Sequence, residues 1–271
     1  MLLPYTTDCY RDENPYGTIG LVVVNVLVYG AQLGGLLDES AWSSNWSRLD
    51  LLDGLRSQLF HGDAWHLAGN MLFLWIFGQI VEGAIGTRAF LLWLLAVALS
   101  STCLEHLAFS AREGGSYGAS GLVFACIAGG ALLAPKSRIR FVLWLLIPRR
   151  YEVGLSAAAV GFLAFELWGV FEHFALRTQD TLPYTPLLHT AGFAIGLGLA
   201  YLALKLRLVD AGGWDWLSRR ARRERGAMLG DFVAPDVEAG PPAPQSTPPK
   251  CAHCGRVRPK HLRRCVYCGK P

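Results

Sequence analysis

Four polar residues stand at the heads of three apolar stretches. Ser120 lies in the run GGSYGASG, His189 opens the stretch 187–207, and His66 and Asn70 open the stretch 65–85. Serine is a weak nucleophile at neutral pH and needs an adjacent base. Histidine is the natural base, because its pKa lies near the working pH. No lysine lies in the first five apolar stretches, and Lys205 stands at the far end of the sixth, so a Ser–Lys pair is excluded. The one acid near His189 in sequence is Asp180, in a connecting loop, so a Ser120–His189 dyad is expected and not a triad. Acyl transfer also needs donors aimed at the developing oxyanion. The N–H of Ser120 opens a helix, where free amides and the dipole favour negative charge. His66 and Asn70, at i and i+4, share one helix face and can point at the same place. Taken singly, the serine reads as a packing residue and each histidine as a satisfied core polar group.

The glycines around them favour the chemical reading. Gly118, Ala119 and Gly121 flank Ser120 with small residues, which lets the chain turn tightly and leaves Oγ uncovered. Residues 114–118 are expected as non-helical backbone at membrane depth, tolerable where it lines a cavity. Gly192, Gly196 and Ala200 follow His189 at offsets of 3, 7 and 11, on the histidine's own face, so this helix can lie close against the one that Ser120 opens. His61 precedes His66 by five residues, about 140° around a helix, which does not suit a two-histidine zinc pair. It is expected in the preceding loop with a structural role.

The elements that must position these residues are membrane helices. Apolar residues make up 52% of the 271 and charged residues 17%, below the roughly 25% charged of a soluble domain. A soluble α/β enzyme is disfavoured and a disordered chain is excluded. Six stretches approach the length needed to span a bilayer: 18–37, 65–85, 88–109, 119–134, 153–172 and 187–207, the fourth being short. A seventh run, FVLWLLIP at 141–148, is too short and is read as interfacial or re-entrant. The N-terminal MLLPYTTDCYRDENPYG lacks a basic region and carries Asp8, Asp12 and Glu13, so it is not read as a secretory signal. With the N-terminus in the cytoplasm, the outer loops hold Arg48, Arg56, Arg112 and Arg177. The inner 135–152 loop then holds Lys136, Arg138, Arg140, Arg149 and Arg150, and the basic C-terminal flank is also inside. This asymmetry puts both termini in the cytoplasm and suits a bacterial inner membrane.

Residues 1–200 carry 11 Lys and Arg against 15 Asp and Glu, whereas residues 201–271 carry 14 against 6. The expected divisions are a membrane domain at 1–207, a basic juxtamembrane segment at 208–228, a Pro-rich linker at 229–249 and a compact module at 250–271. The run WDWLSRRARRERG, 214–226, reads either as an interfacial anchor facing anionic headgroups or as a solvated basic helix that sets topology. The module contains Cys251-x2-Cys254-x10-Cys265-x2-Cys268, the spacing of a four-cysteine structural zinc site, with a redox dithiol pair as the alternative. A reducing cytoplasm disfavours two disulfides. Arg256, Arg258, Lys260, Arg263, Arg264 and Lys270 make the module basic, so an acidic partner is possible; nucleic acid is not favoured over simple solubilising charge.

Taken together, GASG at 118–121, His61-x4-His66-x3-Asn70 and His189-x2-Gly192-x3-Gly196 resemble the rhomboid family of intramembrane serine proteases over about residues 15–207. The resemblance implies an all-α polytopic bundle of six transmembrane helices, here with a small zinc-ribbon-like module added. It implies a Ser120–His189 dyad, and an oxyanion hole from the Ser120 N–H, His66 and Asn70. The substrates it implies are transmembrane segments of other membrane proteins, cleaved without a catalytic cofactor. Phe124 fits the aromatic that stacks on the histidine, where many members have tyrosine. Glu82 and Gly86 fall where the family has structural residues near the cytoplasmic end of the second helix. The chain departs from the family in LLDGLR, which lacks the Trp-Arg pair of the first outer loop, and in Leu188, where alanine is common. Glu166 inside the fifth stretch is read as a protonated acid bonded to a neighbouring helix, in preference to a substrate role. The rival functions are a non-catalytic rhomboid-like protein that binds membrane clients, and a small transporter, which would line a path with intramembrane charges.

Overall fold

The computed structural model describes residues 2–7, 14–38, 42–143, 149–176, 182–209, 211 and 215–221. The chain divides into two compact units, Met1–Glu224 and Arg225–Pro271, and the described residues all belong to the first. The linker at 229–249 and the four cysteines Cys251, Cys254, Cys265 and Cys268 lie outside the described residues.

The main elements among the described residues follow in order: β1 (Leu2–Thr7), α1 (Tyr16–Leu33), α2 (Leu51–Ser57), α3 (Ala64–Ile85), α4 (Thr87–Phe109), α5 (Ser120–Leu133), β2 (Arg138–Leu143), β3 (Arg149–Gly154), α6 (Leu155–Leu176) and α7 (Tyr184–Lys205). Five of these, α1, α3, α4, α6 and α7, are long and apolar enough to cross a membrane. The fourth expected span, α5, has 14 residues, about 21 Å of helix against the roughly 30 Å of a hydrocarbon core. It lies at the centre, with Ala125, Cys126 and Ala128 fully buried, so its neighbours and not lipid surround it. On the outside, Leu27, Leu92, Leu107, Phe165 and Trp168 are exposed. An apolar belt around a bundle whose polar groups are turned inward is the arrangement a bilayer favours.

The expectation of an all-α chain needs correction. β1, β2 and β3 form an antiparallel sheet in that order, with Leu2 opposite Leu143 and Arg138 opposite Gly154. Along β2, Arg138 and Arg140 are exposed while Ile139 is fully buried, the period of two that a half-covered strand shows. The β1–β2 register shifts between Pro4 and Thr6, at the residue that has no N–H to donate. The run read as interfacial or re-entrant begins as the end of this strand, at 141–143; residues 144–148 lie outside the description.

Small residues set the closest packing. A Cβ at Gly192 would come 2.5 Å from the Gly121 carbonyl oxygen, and one at Gly196 would collide with the Ala125 backbone. α7 therefore lies backbone to backbone on α5, as the glycine spacing predicts. Gly121 contributes its backbone to this contact, since a Cβ on it would meet nothing. α3 widens into a π-helical turn over Leu74–Gly78. There Gly78 approaches α1 closely: a Cβ on it would come 3.1 Å from Thr18 Oγ1. Beyond the turn, Glu82 accepts the Gly17 and Thr18 amides that open α1, and the Thr18 and Thr87 hydroxyls. α1 has no side-chain cap of its own, so a carboxylate from another helix supplies it. This agrees with a structural Glu82, and Gly86 just beyond it takes φ +80 at the turn into α4.

Candidate active site

Ser120 is the first residue of α5, and a pinned loop delivers it there. Gly114 and Gly118 adopt φ +140 and +114, values that side-chain-bearing residues rarely take. The Ser44 amide donates to the Ser116 carbonyl at 2.9 Å, the Trp46 amide to the Gly114 carbonyl at 3.1 Å, and the Gly118 amide to the Ser57 carbonyl at 2.8 Å. Glu105, buried on α4, accepts the hydroxyls of Ser116 at 2.5 Å and Ser44 at 3.2 Å. Residues 114–118 are thus non-helical, as expected, and groups of Gly114, Ser116 and Gly118 are bonded to the chain around them. Glu105 and Trp46 were not singled out in the sequence. An acid near the end of an apolar helix was the available signal, but Ser44 is remote from it in sequence.

Asp63 caps α3 by accepting the Trp65 and His66 amides, each at 2.8 Å. The His66 amide chiefly, then that of Trp65, holds the Asp63 carboxyl below its usual range. The cap fixes the first turn of α3, and with it the face shared by His66 and Asn70. Both sit against the loop: a Cβ on Gly118 would lie 2.7 Å from His66 Cε1 and 3.7 Å from Asn70 Nδ2. The Asn70 Nδ2 is buried and has no hydrogen-bond partner among the described residues. An unsatisfied buried donor is costly, and its occurrence here needs a reason.

His61 is in the loop before α3, as expected. It is fully buried, with its ring 5.0 Å from that of His66, and Gln32 of α1 bonds both its carbonyl and its amide. Burial first, then the neighbouring His66, pushes its imidazole down to about 4, so it is neutral at working pH.

His189, one turn into α7, stacks on Phe124 of α5 with ring centroids 4.4 Å apart and planes 16° from parallel. This is the contact that the resemblance implies. Ser120, His189, His66, Asn70 and Phe124 line a single cavity of about 750 Å³. Ser120 also lines a second, mainly apolar cavity of about 340 Å³, walled by Leu104, Phe109, Leu187 and Ala191. Ser120 and His189 share the first cavity without a hydrogen bond between them, which is common before substrate tightens a catalytic contact.

Asp180 is the one acid near His189 along the chain, but another acid approaches it in space. Glu166 of α6 places Oε1 3.1 Å from His189 Nδ1. The approach is off the line of an Nδ1–H bond, so the nitrogen still lacks an aligned partner. Glu166 does face a neighbouring helix, and the group it meets there is the proposed base. Sequence distance hid this, because the two residues lie on different helices. Among the described residues, no cluster of three or more His, Cys, Asp or Glu could hold a metal.

No curated protein matches the chain. The Rhomboid domain matches residues 49–206, more than half of the sequence, and its span includes His66, Asn70, Ser120, Phe124, Glu166 and His189. With five apolar helices able to cross a bilayer, the chain is a multi-pass integral membrane protein, and it belongs to the rhomboid family.

Proposed function

We propose that the chain is an intramembrane serine endopeptidase that cleaves transmembrane segments of other membrane proteins. The observation that carries the reading is the convergence of Ser120, His189, His66 and Asn70 from three helices on one cavity, beside an unpartnered buried amide. Ser120 Oγ attacks the scissile carbonyl while His189 takes its proton. The tetrahedral oxyanion accepts hydrogen bonds from the Ser120 N–H, Asn70 and His66. His189 returns the proton to the leaving amine, the C–N bond breaks, and an acyl-enzyme remains. Water, deprotonated by His189, then releases the acid product and restores Ser120. Gly118 and Gly121 give Ser120 its room, and Gly192 and Gly196 bring the histidine's helix close. The apolar cavity on the other side of Ser120 suits a side chain of the substrate.

The same reading puts both termini in the cytoplasm, on the Lys/Arg asymmetry, and gives the 250–271 module one structural zinc on Cys251, Cys254, Cys265 and Cys268. Its basic charge suits an acidic cytoplasmic partner.

A fluorophosphonate tests the central claim. Purified wild type should be labelled, and Ser120→Ala and His189→Ala should not. Folded wild-type protein that resists labelling would overturn the reading and leave a non-catalytic, client-binding role.

A further inference from the structure

We infer that Glu166 is a positioning residue for His189: it orients the imidazole of the Ser120–His189 dyad and stabilises its protonated form. This rests on the serine-protease reading above and adds a member to its machinery.

The geometry is specific. Glu166 is turned into the bundle, 8% exposed, while its neighbours Phe165, Leu167 and Trp168 face outward. Its Oε1 is 3.1 Å from His189 Nδ1, and it accepts no hydrogen bond among the described residues. The other acids nearby are committed elsewhere: Asp63 caps α3, and Glu105 is bonded to Ser44 and Ser116. The remaining titratable groups of the cavity are His66, Tyr117 and Tyr184, none of which is a carboxylate. Phe124 fixes the plane of the His189 ring from one face. What remains to be fixed is rotation within that plane and the tautomer. A carboxylate at Nδ1 fixes both: it accepts the Nδ1–H and leaves the Nε2 lone pair as the base. When His189 takes the serine proton at Nε2, the ring becomes a cation and Glu166 stabilises it. The proton stays on histidine until it passes to the leaving amine. A small rotation of either side chain brings the 3.1 Å contact into line, as substrate closure does at other sites.

The test uses Glu166→Leu, Glu166→Gln and Glu166→Asp in the full-length protein in detergent. Fluorophosphonate labelling is resolved into an affinity and a maximal rate, and thermal unfolding is followed in parallel. The maximal rate should fall at least about 100-fold in both Glu166→Leu and Glu166→Gln, with recovery in Glu166→Asp. Affinity and unfolding temperature should stay near wild type. A structural role would instead lower the unfolding temperature with the rate per folded molecule unchanged, and equal rates in all four proteins would also overturn the proposal. Nitrogen-15 spectra of the histidine rings, with His189 assigned by its loss in His189→Ala, provide a readout that needs no activity. Wild type should carry the proton on Nδ1, and Glu166→Leu should shift it toward Nε2. If wild type fails to label but shows this tautomer change, the protease reading falls and the pairing stands. If it labels and the tautomer is indifferent to Glu166, the reverse holds.

Discussion

Glu82 on α3 accepts four hydrogen bonds of 2.6–2.8 Å, from two amides and two hydroxyls. Glu166 on α6, buried to a similar degree, meets one histidine nitrogen out of alignment and faces a cavity. Both are acids inside apolar helices, where an ionisable group is expensive. At Glu82 the acceptor is saturated, and the result is a knot that ties the starts of α1 and α4 to α3. In the cavity that Glu166 faces, His189 Nδ1 and Asn70 Nδ2 are both buried without a hydrogen-bond partner among the described residues. Saturated polar groups hold a fold together, whereas unsaturated ones gathered at a cavity are held ready for a ligand. One region should therefore respond to mutation in stability and the other in rate.

The largest expected effect is at Asn70. Asn70→Ala should slow fluorophosphonate labelling about 10²–10³-fold, the loss that follows removal of one oxyanion donor. Its unfolding temperature should not fall, because the amide removed has no native partner. A loss of stability without a loss of rate would break the comparison at its site half. Next is Glu82→Leu, which orphans two buried amides and should cost about 3 kcal/mol of stability. Labelling per folded molecule should be unchanged, as measured against the folded fraction in thermal unfolding. Phe124→Leu removes the stacked ring beside His189 and should slow labelling roughly fivefold, from the loss of about 1 kcal/mol. Phe124→Tyr, which keeps the ring, should stay within about twofold.

Stability should also depend on pH. Buried His61 is held neutral down to about pH 4, while the unfolded chain takes up the proton near 6.5. Between those values the unfolded state binds more protons, so stability falls as pH drops through that window and levels off below it. The difference in unfolding temperature between wild type and His61→Asn, followed from pH 7 to 4, should isolate this slope.

Much of the site was legible in the chain because its logic is local. A serine between small residues at a helix start, a pair at i and i+4, and glycines at offsets of 3 and 7 all describe single helix faces. Each survives tertiary assembly unchanged. Glu166 was visible as an anomaly but not as a partner. Nothing in the periodicity of α6 says which face of α7 it will meet. Glu105 was hidden for the same reason, since the loops it holds are brought to α4 only by packing.

The sequence by itself determined where the helices run, that their outer faces are apolar, and that Ser120, His66, Asn70 and His189 share one end of the bundle. These follow from hydropathy and the fixed pitch of a helix. Only the tertiary structure decided that Leu2–Thr7 pairs with Arg138–Leu143, that α5 is buried at the centre of the bundle, and that Glu166 faces His189. Those outcomes depend on contacts between segments far apart in the chain. They are fixed by which surfaces pack together, not by any pattern that one segment carries alone.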